Sequence, residues 1–233
     1  MRDAKKLKGL LFDFNGTLFF DSKLHIDAFK KYFLEHGKEE PSEEYITQQI
    51  FGKNNATIYA ENFNPNATEE EWQTFADDKE GLYRKFCLEN PELMKYTDGV
   101  PEMLDYLKAN NIPYCLATGS GMDNISFYME HMDLERWFTP EKNLVYADGS
   151  FRGKPEPDTY LLAAEKIGLD ASECIIFEDG TSGMIAAKRA NAGAVVCVYD
   201  HSLPSPVVGG AECDVELKDF TAWKDILAQF GVI

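Results

Sequence analysis

Four short, almost wholly apolar runs constrain this chain more than any other feature. They are Leu10-Leu11-Phe12, Tyr114-Cys115-Leu116-Ala117, Cys174-Ile175-Ile176-Phe177 and Ala194-Val195-Val196-Cys197-Val198. Runs this short and this continuous fit parallel strands buried on both faces. Helical patterns fall between them. Val100, Met103, Leu104 and Leu107 repeat at i, i+3, i+4 and i+7, with Asp98 as the expected N-cap and Pro101 in the first turn. Tyr160, Leu161, Ala164 and Ile167 repeat the pattern ahead of Gly168, placed as a C-cap. Residues 184–191 predict a third helix, closed by Gly193. Strand–helix alternation predicts a doubly wound α/β fold with a parallel sheet, whose ligands bind at the carboxyl ends of the strands.

The first strand is not followed by another sheet strand for a long way. From about residue 21 to 95 aromatics, Glu, Asn and Gln dominate and β-branched runs are absent. Ala28, Phe29, Tyr32 and Phe33 make one apolar helical face, and Phe75, Leu82, Tyr83 and Phe86 another. Residues 62–68 read as a polar turn, and Thr68 to Glu71 as a capping box. The expected organisation is a core of residues 1–20 and 96–233 with an inserted all-α cap domain of residues 21–95. Such an insertion follows a strand's carboxyl end and can act as a lid.

Charge narrows the partners. Twenty-three Lys and Arg against forty Asp and Glu give a net charge of −17. That charge repels nucleic acid and anionic membrane surfaces, and leaves a small anion only a local cationic pocket. No apolar run approaches the ~20 residues of a membrane span. The charged start, residues 1–8, does not resemble a secretory signal. Five widely spaced cysteines without a CxxC pattern are expected as reduced thiols in a cytoplasmic protein. The sequence carries no sign of oligomeric state.

The expected strand ends carry the chemistry. Strand one runs into Asp13-Phe14-Asn15-Gly16-Thr17-Leu18, and the second into Thr118-Gly119-Ser120. Lys154 lies in Gly153-Lys154-Pro155-Glu156-Pro157-Asp158, and another strand ends in Glu178-Asp179-Gly180. Converging, these ends supply carboxylates, a hydroxyl, backbone N–H groups and one ammonium. Hard oxygen ligands suit Mg²⁺, while the ammonium and the N–H groups suit phosphoryl oxygens.

Over nearly its whole length the chain resembles the haloacid dehalogenase superfamily, in particular its capped phosphatase and β-phosphoglucomutase-like branch with a Rossmann-like core. The resemblance implies that Asp13 is the nucleophile that becomes an aspartyl phosphate. It implies that Thr118, Gly119 and Lys154 bind the transferring phosphoryl group. Mg²⁺ would be held by Asp13, Glu178, Asp179 and the backbone carbonyl of Asn15. One departure stands out, because the family motif has a second aspartate where this chain has Asn15. That aspartate protonates the leaving oxygen and then activates water; an amide does neither, and losing such a group costs ~10²–10⁴ in rate.

Two further residues are candidates for contact with substrate. His25 lies near the start of the cap, where an imidazole of ordinary pKa ~6.5 suits acid/base work. Lys53, in Phe51-Gly52-Lys53-Asn54-Asn55, falls where related caps present a substrate loop. Ser120 fits neither G-x-S-x-G, since Thr118 and Met122 occupy its glycine places, nor G-x-G-x-x-G. The expected activity is Mg²⁺-dependent hydrolysis of a small phosphorylated metabolite. A mutase-like phosphoryl transfer and a catalytically impaired ligand-binding protein remain open beside it.

Overall fold

The computed structural model describes residues 6–203, 205 and 212–233. Residues 1–5 of the charged start lie outside the described residues. The chain divides into two compact units: Asp21–Met94, and the residues up to Phe20 together with Lys95–Ile233.

In the second of these, β1 (Gly9–Phe12) lies between β2 (Tyr114–Ala117) and β4 (Cys174–Glu178). Beyond β2 comes β3 (Leu144–Val145), and beyond β4 come β5 (Ala194–Val198) and β6 (Val215–Leu217). The described residues thus form a six-stranded sheet of order β3-β2-β1-β4-β5-β6, parallel throughout. Four of these strands are the four apolar runs. The two edge strands left weaker traces: β3 has two residues, and β6 is only half-buried at alternate positions.

Register positions the chemistry. Phe12 pairs with Leu116 on one side and with Phe177 on the other. The next residues, Asp13, Ala117-Thr118 and Glu178, therefore emerge along one edge of the sheet. Side chains alternate across it. Leu11, Cys115 and Ile176 face α7 (Asp158–Lys166) and α8 (Thr181–Arg189), among Tyr160, Ala164, Met184 and Ala187. Phe12 turns to the other face, its ring 5.0 Å from Phe177, with Phe220 closing the stack.

Three local expectations are corrected. Asp98 does not cap α5 (Val100–Ala109); Gly99 does, with φ 89°, because the Asp98 carbonyl accepts from the Phe220 N–H at 2.8 Å. Leu161 is 45% exposed, because α7 starts at Asp158 and turns Tyr160, Ala163 and Ala164 to the sheet instead. Asn191 rather than Gly193 ends α8: its φ is 59°, and the Ala192 N–H returns to the Ala187 carbonyl at 3.1 Å. Gly193 serves packing, since a Cβ there would lie 2.5 Å from Leu7 and 2.8 Å from the Ser172 carbonyl.

The other unit is helical. It contains α1 (Ser22–Glu35), α2 (Glu43–Tyr45) running into a π-turn at Ile46–Ile50, α3 (Asn55–Asn62) and α4 (Glu69–Glu89). The capping box of Thr68 and Glu71 opens α4. Phe29, Tyr32 and Phe33 of α1 pack with Ile46, Ile50, Ile58 and Phe75. Leu82 and Phe86 are only half-buried. All five cysteines are free thiols, and no described helix is long and apolar enough to cross a membrane.

A Cβ on Gly99 would meet the Phe220 carbonyl at 2.5 Å, and its φ lies in the left-handed region. Gly99→Ala is expected to destabilise the protein by about 1–3 kcal/mol. Urea unfolding measures this, and an unchanged midpoint would show that the α5 entry relaxes freely.

Candidate active site

Asp13, Phe14 and Asn15 follow β1 as it leaves the sheet, and the Thr17 and Phe19 N–H groups return to the Phe14 carbonyl. Phe14 turns into the core, its ring 4.6 Å from that of Tyr128 on α6 (Met122–Met132). Asp13 is anchored by its backbone N–H on the Phe177 carbonyl at 3.0 Å, and its side chain meets Lys154.

Lys154 bridges two carboxylates. Its ammonium donates to Asp13 Oδ1 and, at 2.6 Å, to Glu178 Oε1. It also lies 4.9 Å from the centre of the Tyr160 ring. Burial by itself pushes the Lys154 ammonium towards neutrality, but the charges of Asp13 and Glu178 outweigh it and raise its pKa above the usual lysine range. Burial likewise pushes the Glu178 carboxyl up, and the charge and hydrogen bond of Lys154 bring it below its ordinary value. The pair is therefore ionised at neutral pH.

Glu178 is fully engaged. Oε1 accepts from Lys154 and, at 2.7 Å, from the Tyr160 hydroxyl. Oε2 accepts from the Asp179 and Gly180 N–H groups, each at 2.9 Å. Two glycines make room for the acidic pair. A Cβ on Gly183, in the first turn of α8, would stand 1.7 Å from Glu178 Oε1. A Cβ on Gly16, at φ 78°, would stand 2.0 Å from Asp179 Oδ2. Thr17 Oγ1 donates a long hydrogen bond of 3.5 Å to Asp179 Oδ1.

Asn15 sits in its own clamp. Its Nδ2 donates to the Tyr128 hydroxyl oxygen, and its Oδ1 accepts from the Ser120 hydroxyl, both at 2.8 Å. The Ser120 N–H donates to Thr118 Oγ1 at 3.0 Å, so buried Thr118 and exposed Gly119 belong to the same turn. The fold thus gathers Asp13, Asn15, Thr118, Lys154, Glu178 and Asp179 at one sheet edge.

His25 and Lys53 belong to the helical unit. The His25 ring stacks on Tyr83 at 4.0 Å, with Nε2 3.2 Å from Asp21 Oδ2. Buried Asp21 also accepts from the Tyr83 hydroxyl at 2.7 Å. Lys53 pairs with Glu61 at 2.7 Å.

The donor set fits a hard divalent cation. Asp13, Glu178 and Asp179 each bring a carboxylate oxygen within 4.8 Å of the others. Three carboxylates and one ammonium sum to −3 + 1 = −2, the charge a Mg²⁺ ion balances.

A family model for haloacid dehalogenase-like hydrolases matches residues 10–197. The chain belongs to that family. It is 28% identical over 209 residues to the phosphorylated carbohydrates phosphatase of Thermotoga maritima, covering 84% of this chain and 87% of that one. It is 26% identical to the fructose-1-phosphate phosphatase YqaB of Escherichia coli, covering 82% of this chain and 96% of that one. Among solved structures, a family IA, variant 3 hydrolase from Entamoeba histolytica superposes with a TM-score of 0.83 at 30% identity. That match covers 96% of this chain and 99% of the other.

Against this family frame, sequence reasoning missed Tyr128, Tyr160, Gly16 and Gly183. Tyr160 stands in an apolar helical pattern that a core role explains, and Tyr128 lies in a stretch that the sequence motifs do not reach. The glycines carried a usable signal, since each lies next to a strand-end motif where backbone and carboxylate approach closely.

An Asn-Gly pair is prone to deamidation through attack of the glycine nitrogen on the side-chain carbonyl carbon. Here the Gly16 N–H is held by the Phe19 carbonyl at 2.7 Å and the Asn15 amide is clamped. Folded protein is expected to keep Asn15 intact at mildly alkaline pH, while urea-unfolded chain gains the mass of a carboxylate there. Peptide mapping over time decides it; equal rates in the two states would show that the clamp gives no protection.

Proposed function

We propose that the chain is a Mg²⁺-dependent phosphohydrolase for small phosphorylated metabolites, sugar phosphates among them, working through an aspartyl phosphate on Asp13. The observation that carries this reading is the Lys154 ammonium held against Asp13 at the end of β1. The phosphatase relatives, whose names speak of phosphorylated carbohydrates and fructose 1-phosphate, support the substrate class.

The Asp13 carboxylate oxygen attacks phosphorus, and the bond to the leaving oxygen breaks. An ordinary carboxylate is a weak nucleophile, so positioning and charge neutralisation supply most of the rate. Lys154 keeps Asp13 ionised and balances charge on the phosphoryl oxygens. Thr118 and the backbone N–H of Gly119 orient the same group. When bound, a Mg²⁺ ion on Asp13, Asp179 and the Asn15 backbone carbonyl would neutralise phosphoryl charge. Glu178, whose carboxylate lies with those of Asp13 and Asp179, would be a further ligand and also fixes Lys154 through Oε1. Water then attacks the phosphoenzyme and releases phosphate.

Both proton transfers lack the usual aspartate. Asn15 is neutral, donates through Nδ2 to Tyr128 and takes no proton. This favours a second reading, a ligand-binding protein with little turnover. A screen of phosphate esters with Mg²⁺ separates the two, run on the parent beside Asn15→Asp and Asp13→Ala. On the first reading Asn15→Asp raises turnover of sugar phosphates by ~10²-fold or more. Aryl phosphates gain less in the transfer to Asp13, since their leaving group needs little protonation; rapid-quench kinetics isolates that step. Asp13→Ala abolishes phosphoenzyme and phosphate release, and undiminished turnover in it would overturn the mechanism. Phosphate binding without turnover in both parent and Asn15→Asp would establish the second reading.

Asp179→Ala should weaken Mg²⁺ binding, read by calorimetry, far more than it lowers the melting temperature. Equal Mg²⁺ affinity in variant and parent would leave Asp179 a structural role.

A further inference from the structure

We infer that Tyr160 is a positioning residue for the Lys154 ammonium, acting through Glu178 and through its own ring face. The inference rests on the reading of Lys154 as the phosphoryl-binding cation. Tyr160 lies in the first turn of α7, wholly buried, on the helix face that packs against the sheet. Its hydroxyl is spent on Glu178 Oε1 at 2.7 Å, the oxygen that also accepts from Lys154 at 2.6 Å. Its ring stands 4.9 Å from the same ammonium, within cation–π range. One side chain therefore touches both members of the ion pair.

Geometry explains why this matters. Lys has a flexible stem with three rotatable donors, so its ammonium sits only where neighbours hold it. Glu178 is the one acceptor that ties Lys154 to β4, and its carboxylate is oriented on two sides. The Asp179 and Gly180 N–H groups fix Oε2, and Gly183 leaves the space the carboxylate fills. Tyr160 fixes Oε1. Without its hydroxyl the carboxylate is held at one oxygen by backbone and at the other only by the lysine it is meant to orient. An apolar residue of equal size would fill the core as well, so packing alone does not account for the hydroxyl.

The test is Tyr160→Phe, which keeps the ring and deletes the hydroxyl. Lys154 is read directly by the ¹H–¹⁵N resonance of its ammonium, identified by its loss in Lys154→Arg. The expected result is a shifted or exchange-broadened Lys154 signal in folded Tyr160→Phe. In steady state kcat falls by about 10–100-fold, as for other residues that orient a contacting group, with KM changed little. An unmoved resonance together with kcat within twofold of the parent would overturn the inference and leave Tyr160 a packing residue. Should Tyr160→Phe fail to fold, Glu178→Gln supplies the second arm. It keeps an acceptor for Tyr160 and removes the charge facing Lys154. A Lys154 signal unchanged there breaks the link from Tyr160 to the ammonium and equally overturns the inference. A parent that transfers no phosphoryl group would refute the proposed function alone, since the ammonium resonance needs no turnover.

Discussion

Three carboxylates and one ammonium share the carboxyl edge of the sheet, and the ammonium of Lys154 is what allows Asp13 and Glu178 to be buried side by side. Like charges at this range raise each other's pKa, and one of the two would take up a proton. A cation between them reverses that. Truncating one member of such a buried pair leaves the others uncompensated, at a cost of about 3–5 kcal/mol. The surrounding sequence follows from this constraint. Gly183 and Gly16 lack side chains because the carboxylates of Glu178 and Asp179 occupy that space. Tyr160 carries a hydroxyl in an otherwise apolar face because Glu178 Oε1 has room for one more donor.

The same edge explains what was legible in the sequence and what was not. Central strands buried on both faces must be apolar throughout, so β1, β2, β4 and β5 were plain, and the polar residues ending them stood out. Edge strands face no such demand. β3 spans two residues and β6 alternates between half-buried and exposed, so neither made a run. Helix phase was less secure. An apolar residue at Leu161 fitted the pattern equally well, and only the start of α7 after Pro157 decided which side faced the sheet. Asp98 and Gly193 were misread for a related reason: capping preferences are local, while Phe220 and the carbonyls of Ser172 and Cys174 come from distant segments.

The site shows a similar division. Residues whose chemistry exceeds what a core needs, such as Asp13, Lys154 and Asp179, announced themselves by type and place. Residues that act through others did not. Tyr128 and Tyr160 are ordinary core aromatics by every local measure, and their hydroxyls acquire meaning only from partners 113 and 18 residues away in the chain. Ser120 fits neither glycine-flanked pattern, and the fold gives its hydroxyl to Asn15. In the helical unit, His25 was picked out alone, whereas the fold gives it Asp21 and Tyr83 as partners.

Asn15 has the clearest electrostatic consequence. With an amide there, the charges around Asp13 sum to −2; an ionised aspartate would make them −3. An amide has nearly the shape of a protonated carboxyl group and the same charge, and here it is held in one orientation by a donor and an acceptor. On the proposed reading, Asn15 therefore imitates the state of the site in which the family's acid is loaded and has not yet delivered its proton. Attraction for a phosphate ester, which depends on total charge, is preserved in that state. Proton delivery, which depends on a dissociable hydrogen, is not. Binding and turnover are thereby separated at a single side chain, and the cost falls on leaving groups that need a proton rather than on the recognition of phosphate.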